Sequence, residues 1–257
     1  MNIIAIIPAR MGSSRFPGKP MALIHGIPMI GHVYYRTRMC TDVSETYVAT
    51  CDHEIYDYIE SIGGRAVMTA DTHERCTDRT AEAMLKIEND QGKKTDIVVM
   101  VQGDEPMVSP EMVSDSVQPL LDDSSINVVN LMAKMRSEEE FEDPNEVKVV
   151  TDLNNNALYF SREPVPSRKK GETRVPMLKQ VCIIPFRRDY LLSFNQMPET
   201  PLERIESVDM MRILENGGKV KMVMTEIKSL SVDTPEDLKN VIMMMENDVL
   251  RLNYKTI

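Results

Sequence analysis

Apolar, β-branched runs alternate with amphipathic stretches from the N-terminus to about residue 120, and this alternation limits the fold more than any other feature of the chain. Ile3-Ile4-Ala5-Ile6-Ile7 has the pattern of a buried strand. The spacing predicts a helix over 29–38, a strand over 45–50, and a helix over 53–62 with Ile55, Ile59 and Ile62 on one face. A short strand is expected at 65–68, a helix at 77–89 and a strand at 96–101. Pro110 opens a further helix near its first turn, where its missing N–H costs nothing. Strands alternating with helices of this length build βαβ units around a mainly parallel sheet. Ligands of such sheets gather beyond the carboxyl ends of the strands. Segments 8–20, 51–52 and 102–106 each follow a strand directly, so they are expected to converge on one edge.

The second half is less regular. Two strands, 147–151 and 157–160, flank the polar turn Asp152-Leu153-Asn154-Asn155-Asn156. Residues 162–176 form a basic, proline-containing excursion. A strand follows at 181–186, a helix at 202–215, a last strand at 220–225 and a closing helix at 234–245, capped by Asp233 or Thr234. The run Met243-Met244-Met245 is expected to fill core. No linker interrupts the pattern, so residues 1–257 are expected to form one domain.

The first strand runs into P-A-R-M-G-S-S-R-F-P-G-K-P, residues 8–20. Its glycines allow backbone N–H groups to approach an anion, and Arg10, Arg15 and Lys19 supply positive charge. In a chain of net charge −10 this concentration of cations suits a polyanion such as a nucleoside triphosphate, although a plain surface turn has the same composition. The acidic pI near 5.0 argues against nonspecific nucleic-acid or anionic-membrane binding. No apolar run reaches the roughly 18 residues of a membrane span, and no signal-peptide pattern is present, so a cytoplasmic location is expected. The four cysteines and four histidines are scattered and match no zinc spacing.

Two acidic positions complete the pattern. Asp104 lies in V-Q-G-D-E-P just past a strand, and Asp233 lies in S-V-D-T-P-E-D. Each alone reads equally as an acidic turn or a helix N-cap. Together with the basic loop they suit a clamped triphosphate with Mg²⁺ held by two carboxylates, because hard cations prefer carboxylate oxygen. Catalysis at such a site is positioning and charge neutralisation, with no protein nucleophile.

R-x-G-S-S-R-F-P-G-K-P, V-Q-G-D-E-P, D-P-N-E-V-K-V-V, A-L-Y-F-S-R, P-L-E-R-I-E-S and V-D-T-P-E-D-L occur in that order. The chain thereby resembles the 3-deoxy-manno-octulosonate (Kdo) cytidylyltransferases, or CMP-Kdo synthetases, from residue 3 to about residue 240. The resemblance implies a three-layer α/β/α Rossmann-like nucleotidyltransferase fold with a small second-half excursion. It also implies a homodimer, Mg²⁺, a place in lipopolysaccharide biosynthesis, and transfer of CMP from CTP to a 2-keto-3-deoxy sugar acid with release of pyrophosphate. By position it assigns Arg10 and Lys19 to the CTP phosphates with Ser13 and Arg15 in the same CTP-binding loop, Asp104 and Asp233 to Mg²⁺, and Thr77 and Arg79 to the cytosine side. Gln102, Arg162 and Glu206 fall on the acceptor side. The chain departs from the family pattern at Cys51, Arg75, Cys76, Gln180, Cys182, Ile184 and Met210. Arg75 and Gln180 join the expected acceptor set, and the exchange of polar groups for Ile184 and Met210 leaves a different carboxylate acceptor open. A GT-A-like glycosyltransferase and a binding protein without turnover are the competing classes.

Overall fold

The computed structural model describes residues 1–13, 15–169 and 175–254. The chain divides into two compact units, Met1–Ser114 with Lys228–Ile257, and Asp115–Ile227.

In the first unit, strands Ile97–Val101, Ile3–Ala9, Glu45–Thr50 and Ala66–Met68 lie side by side in that order. All three pairings are parallel, with Ile6 opposite both Tyr47 and Met100. Every residue of Ile3–Ala9 is buried, as expected of a parallel strand covered on both faces. The chain order reverses at this strand: the next strand in sequence lies on one side of it and a later one on the other. Such a reversal opens a crevice outside the carboxyl ends of the strands. Helices Met29–Arg38, His53–Ser61 and Cys76–Gln91 pack on these strands. Gly103, just past Ile97–Val101, sits where a Cβ would come within 3.0 Å of the Pro8 carbonyl oxygen. A side chain at this position would press the turn away from the end of strand Ile3–Ala9, so glycine permits their close approach.

The closing helices Pro235–Met244 and Val249–Tyr254 belong to the same unit. Thr234 is the N-cap, and Thr234 and Asp237 form a reciprocal capping box. Of the methionine run only Met245 is fully buried, beside Ile24, Met29, Met107, Val232 and Val241. Met243 is exposed, contrary to the expectation of core filler, because it falls on the outer face of the helix.

In the second unit the strand order is Lys221–Thr225, Val129–Lys134, Leu178–Val181, Lys148–Thr151, Ala157–Ser161. Only the first pairing is parallel. Strand Val129–Lys134 has no counterpart among the expected elements, its apolar pattern being interrupted by the buried Asn130. Two expected elements are divided. The strand at 181–186 becomes Leu178–Val181 and Ile183–Arg187, broken at Cys182. The helix at 202–215 becomes Pro201–Glu206 and Met210–Glu215, because Ser207 adopts a left-handed conformation (φ 53°) that ends the first. The expected excursion at 162–176 falls partly outside the described residues.

Candidate active site

The convergence expected of the three strand-end segments is present in the first unit. Loop 10–19 is closed on itself: the Met11 carbonyl accepts from the Ser13 and Gly18 N–H groups at 2.9 and 3.0 Å. Gly18 has φ 75°, a conformation glycine adopts freely, and it directs the chain into the short turn Lys19–Met21. That turn places Lys19 in the crevice with only 8% of its surface exposed.

Lys19 Nζ donates to Asp104 Oδ2 at 3.0 Å, Asp233 Oδ1 at 3.2 Å and the Val232 carbonyl at 2.6 Å. Arg15 reaches the same Asp233 oxygen at 2.9 Å. Burial opposes the lysine's charge, but the neighbouring Asp104 and Asp233 carboxylates outweigh it and hold the Lys19 pKa above its ordinary value. Asp104 is fixed from behind, its carbonyl accepting the Val232 N–H at 2.9 Å. Because Thr234 caps the following helix, the Asp233 carboxylate is turned to Lys19 and Arg15 instead. Ser13 is used within the loop, its hydroxyl accepting the Phe16 N–H at 3.3 Å.

Arg10 and Arg79 meet on one carbonyl. Arg10 donates to His73 O at 3.3 Å, and Arg79 donates to His73 O at 3.4 Å and to Ala70 O at 3.2 Å, with a further bond to the Thr69 hydroxyl. Glu82 braces the same segment by accepting from His73, from Ala70 N at 3.0 Å and from Lys86 at 2.7 Å. Burial works against its negative charge, yet these bonds, led by Lys86, pull the Glu82 pKa down to about 2. Thr77 and Arg79 are buried in helix Cys76–Gln91, and Arg75 is its N-cap residue. Gln102 closes the turn before Asp104, its carbonyl accepting the Glu105 N–H at 3.2 Å.

The remaining expected acceptor residues lie in the second unit. Glu206 accepts the Arg162 N–H at 2.8 Å and the Tyr159 hydroxyl at 3.0 Å. The Arg162 guanidinium donates to the carbonyls of Glu206 at 2.6 Å, Pro144 at 2.8 Å and Ser207 at 3.5 Å. In this arrangement its nitrogens face main-chain carbonyls of its own surroundings. Gln180 does not join this pair; its amide donates to Asn130 Oδ1 at 2.5 Å. Ile184 and Met210 are core side chains, 2% and 1% exposed, so packing accounts for their apolar character.

Sequence reasoning gave no role to Glu82, to Asp52, whose carboxylate holds the Met11 N–H at 2.8 Å, or to buried Glu105, which accepts the Ser229 hydroxyl at 3.1 Å. Asp52 and Glu105 lie in segments that follow a strand, whereas Glu82 has no local signal. Among the described residues, no group of three or more His, Cys, Asp and Glu side chains converges as a metal cluster, and no helix is long and apolar enough to cross a membrane.

A cytidylyltransferase family model matches residues 4–229. The chain is 44% identical over 252 residues to a 3-deoxy-manno-octulosonate cytidylyltransferase of Geobacter metallireducens, covering 94% of this chain and 97% of that protein. It is 39% identical over 250 residues to the enzyme of the same name from Solibacter usitatus, covering 97% of each. A solved structure of CMP:2-keto-3-deoxy-manno-octonic acid synthetase complexed with CTP superposes with a TM-score of 0.87 at 38% identity, covering 97% of this chain and all of that one. A cytidylyltransferase from Leptospira borgpetersenii, 17% identical with a TM-score of 0.63, shares the fold. The chain therefore has the Rossmann-like nucleotidyltransferase fold, and it belongs to the 3-deoxy-manno-octulosonate cytidylyltransferase family of CTP-dependent nucleotidyltransferases.

Proposed function

We propose that the chain transfers CMP from CTP to Kdo at the crevice around Lys19, releasing pyrophosphate. The observation that carries the reading is the cluster of Lys19, Asp104, Asp233 and Arg15 beyond the strand ends, beside a closed glycine-containing loop. Arg10, Ser13, Arg15 and Lys19 hold the triphosphate, and Thr77 and Arg79 border the cytosine. Gln102, in the turn that carries Asp104, serves the acceptor. The protein acts as a cytoplasmic homodimer with no nucleic-acid or membrane partner.

The residues present fit a divalent cation. Asp104 and Asp233 already share one positive group, the Lys19 ammonium, so their oxygens converge within reach of a single cation. Two carboxylates together with nucleotide phosphates are the usual ligand set of Mg²⁺. Asp104 and Asp233 would hold it, and the bound ion would supply charge neutralisation at the phosphates and acidity at the attacking hydroxyl.

The anomeric hydroxyl of the sugar acid attacks the α-phosphorus in line. The new O–P bond forms as the bond from the α-phosphorus to the bridging oxygen breaks. The hydroxyl proton passes to solvent, and pyrophosphate leaves with the bonding pair. Lys19 remains cationic through the neutral range and offsets charge on the phosphates and the leaving group. Arg10, braced against the His73 carbonyl, adds a second positive charge at the start of the loop. This positioning and charge neutralisation needs no protein base.

Purified protein with CTP and Mg²⁺ is tested against Kdo and a panel of other acidic sugars, with pyrophosphate as the readout. Kdo should be turned over with an efficiency of about 10⁴ M⁻¹s⁻¹ or more. A tenfold preference for another carboxylate would replace Kdo as the acceptor while leaving cytidylyl transfer intact.

A further inference from the structure

Asp52 stands where strand Glu45–Thr50 passes into helix His53–Ser61, as the N-cap residue. An aspartate at this position ordinarily turns its carboxylate onto the amides of the first helical turn. Asp52 makes no such bond. Its Oδ2 accepts the main-chain N–H of Met11, 41 positions away, at 2.8 Å, and lies 3.6 Å from the Cys51 thiol. Its own N–H donates to Thr50 Oγ1 at 3.1 Å, which fixes the turn that carries it.

Met11 is the closing point of loop 10–19. Its carbonyl receives the N–H groups of Ser13 and Gly18, so the position of its peptide sets where the loop starts and where it returns. Arg10 precedes it directly, and Lys19 follows Gly18. A carboxylate beside a loop that receives a triphosphate works against the ligand's charge. It also leaves the helix without its side-chain cap. Both costs are offset if the carboxylate's purpose is to hold Met11 in place.

We propose that Asp52 is a positioning residue of the nucleotide site. Its bond to the Met11 N–H pins the start of loop 10–19, so that Arg10 and Lys19 stand ready for the triphosphate. This rests on the reading of that loop as the CTP phosphate site.

Steady-state kinetics of Asp52→Ala and Asp52→Asn, with CTP and acceptor varied separately, test it. Asp52→Ala should raise the KM for CTP about tenfold and leave the acceptor KM within about twofold, because a loosened loop affects only the substrate it positions. Asp52→Asn keeps an oxygen that accepts the Met11 N–H, so its KM for CTP should stay within about threefold of the unmodified protein. An unchanged CTP KM in Asp52→Ala, or Asp52→Asn as impaired as Asp52→Ala, overturns the proposal. Lys19→Ala is measured alongside. If it leaves CTP use intact, the loop is not the phosphate site and both readings fall. If it impairs CTP use and Asp52→Ala does not, only the role of Asp52 falls. Should Asp52→Ala not fold, amide exchange in the unmodified protein decides. The Met11 amide should exchange about tenfold more slowly than that of Gly12, and equal rates overturn the proposal.

Discussion

Lys19 carries opposite demands, and its surroundings show which wins. Burial opposes its charge, but two carboxylates hold it protonated. Replacing it with a neutral side chain removes the cation that Asp104 and Asp233 share. Lys19→Met should therefore lower CTP turnover by about 10²-fold or more while the nucleotide-free protein binds Mg²⁺ more tightly, measured by titration calorimetry. Unchanged or weaker Mg²⁺ binding would show that the two carboxylates are not the metal ligands. Asp104→Asn and Asp233→Asn should each lower turnover by about 10² to 10³ with the thermal midpoint nearly unchanged. Near-normal activity in either would place the metal elsewhere. Lys19 and Asp104 were legible in the sequence because their segments leave parallel strands, whose ends meet at one edge, and Asp233 because it lies in a recognisable motif just before a helix. Asp52 and Glu82 were less legible because they act on main-chain groups 41 and 12 positions away, and no local pattern marks such a bond.

At the scale of elements, the βαβ half could be read closely. The helix Met29–Arg38 and the strand Glu45–Thr50 match their expected bounds. The second half resisted, because its short antiparallel strands and broken helices depend on contacts distant in sequence. The helix expected at 202–215 is the instructive case. Its two pieces are joined by a buried ion pair, with Arg212 Nε donating to Glu203 at 2.7 Å and Arg212 Nη2 to its other oxygen at 2.6 Å. Glu203 is fully buried, so Glu203→Ala should cost about 3–5 kcal/mol by urea unfolding, as removal of one partner strands a buried charge. A loss below about 1 kcal/mol would show that the pair is not isolated from water. The closing helix Val249–Tyr254 offers a pH test. His32 Nε2 must donate to the Ile24 carbonyl at 2.8 Å, so Nδ1 accepts the Tyr254 hydroxyl at 2.9 Å. Burial pushes the His32 pKa down to about 4. The unfolded chain takes up this proton below about 6.5 and the folded chain only below about 4, so stability should fall as pH drops across that window. His32→Gln should flatten this part of the pH profile; an unchanged slope would assign it to other groups.

For the whole molecule, the family match runs through residues of both units, and the six ordered motifs identify it better than composition or periodicity could. The specificity of the reaction remains the property most dependent on individual side chains. The segment around Thr77 and Arg79, proposed to border the cytosine, is braced by Glu82 and by main-chain carbonyls. A pocket that hydrogen-bonds one base rejects others strongly, so CTP should exceed ATP and GTP in kcat/KM by about 10²-fold or more. The most direct test of the account is pyrophosphate release by the unmodified protein given CTP, Kdo and Mg²⁺, with phosphorus NMR of the same mixture. Equal amounts of pyrophosphate and a CMP–sugar phosphodiester are expected, formed only when all three are present. Release of CMP or CDP without that phosphodiester, or equal turnover with a purine triphosphate, would contradict it.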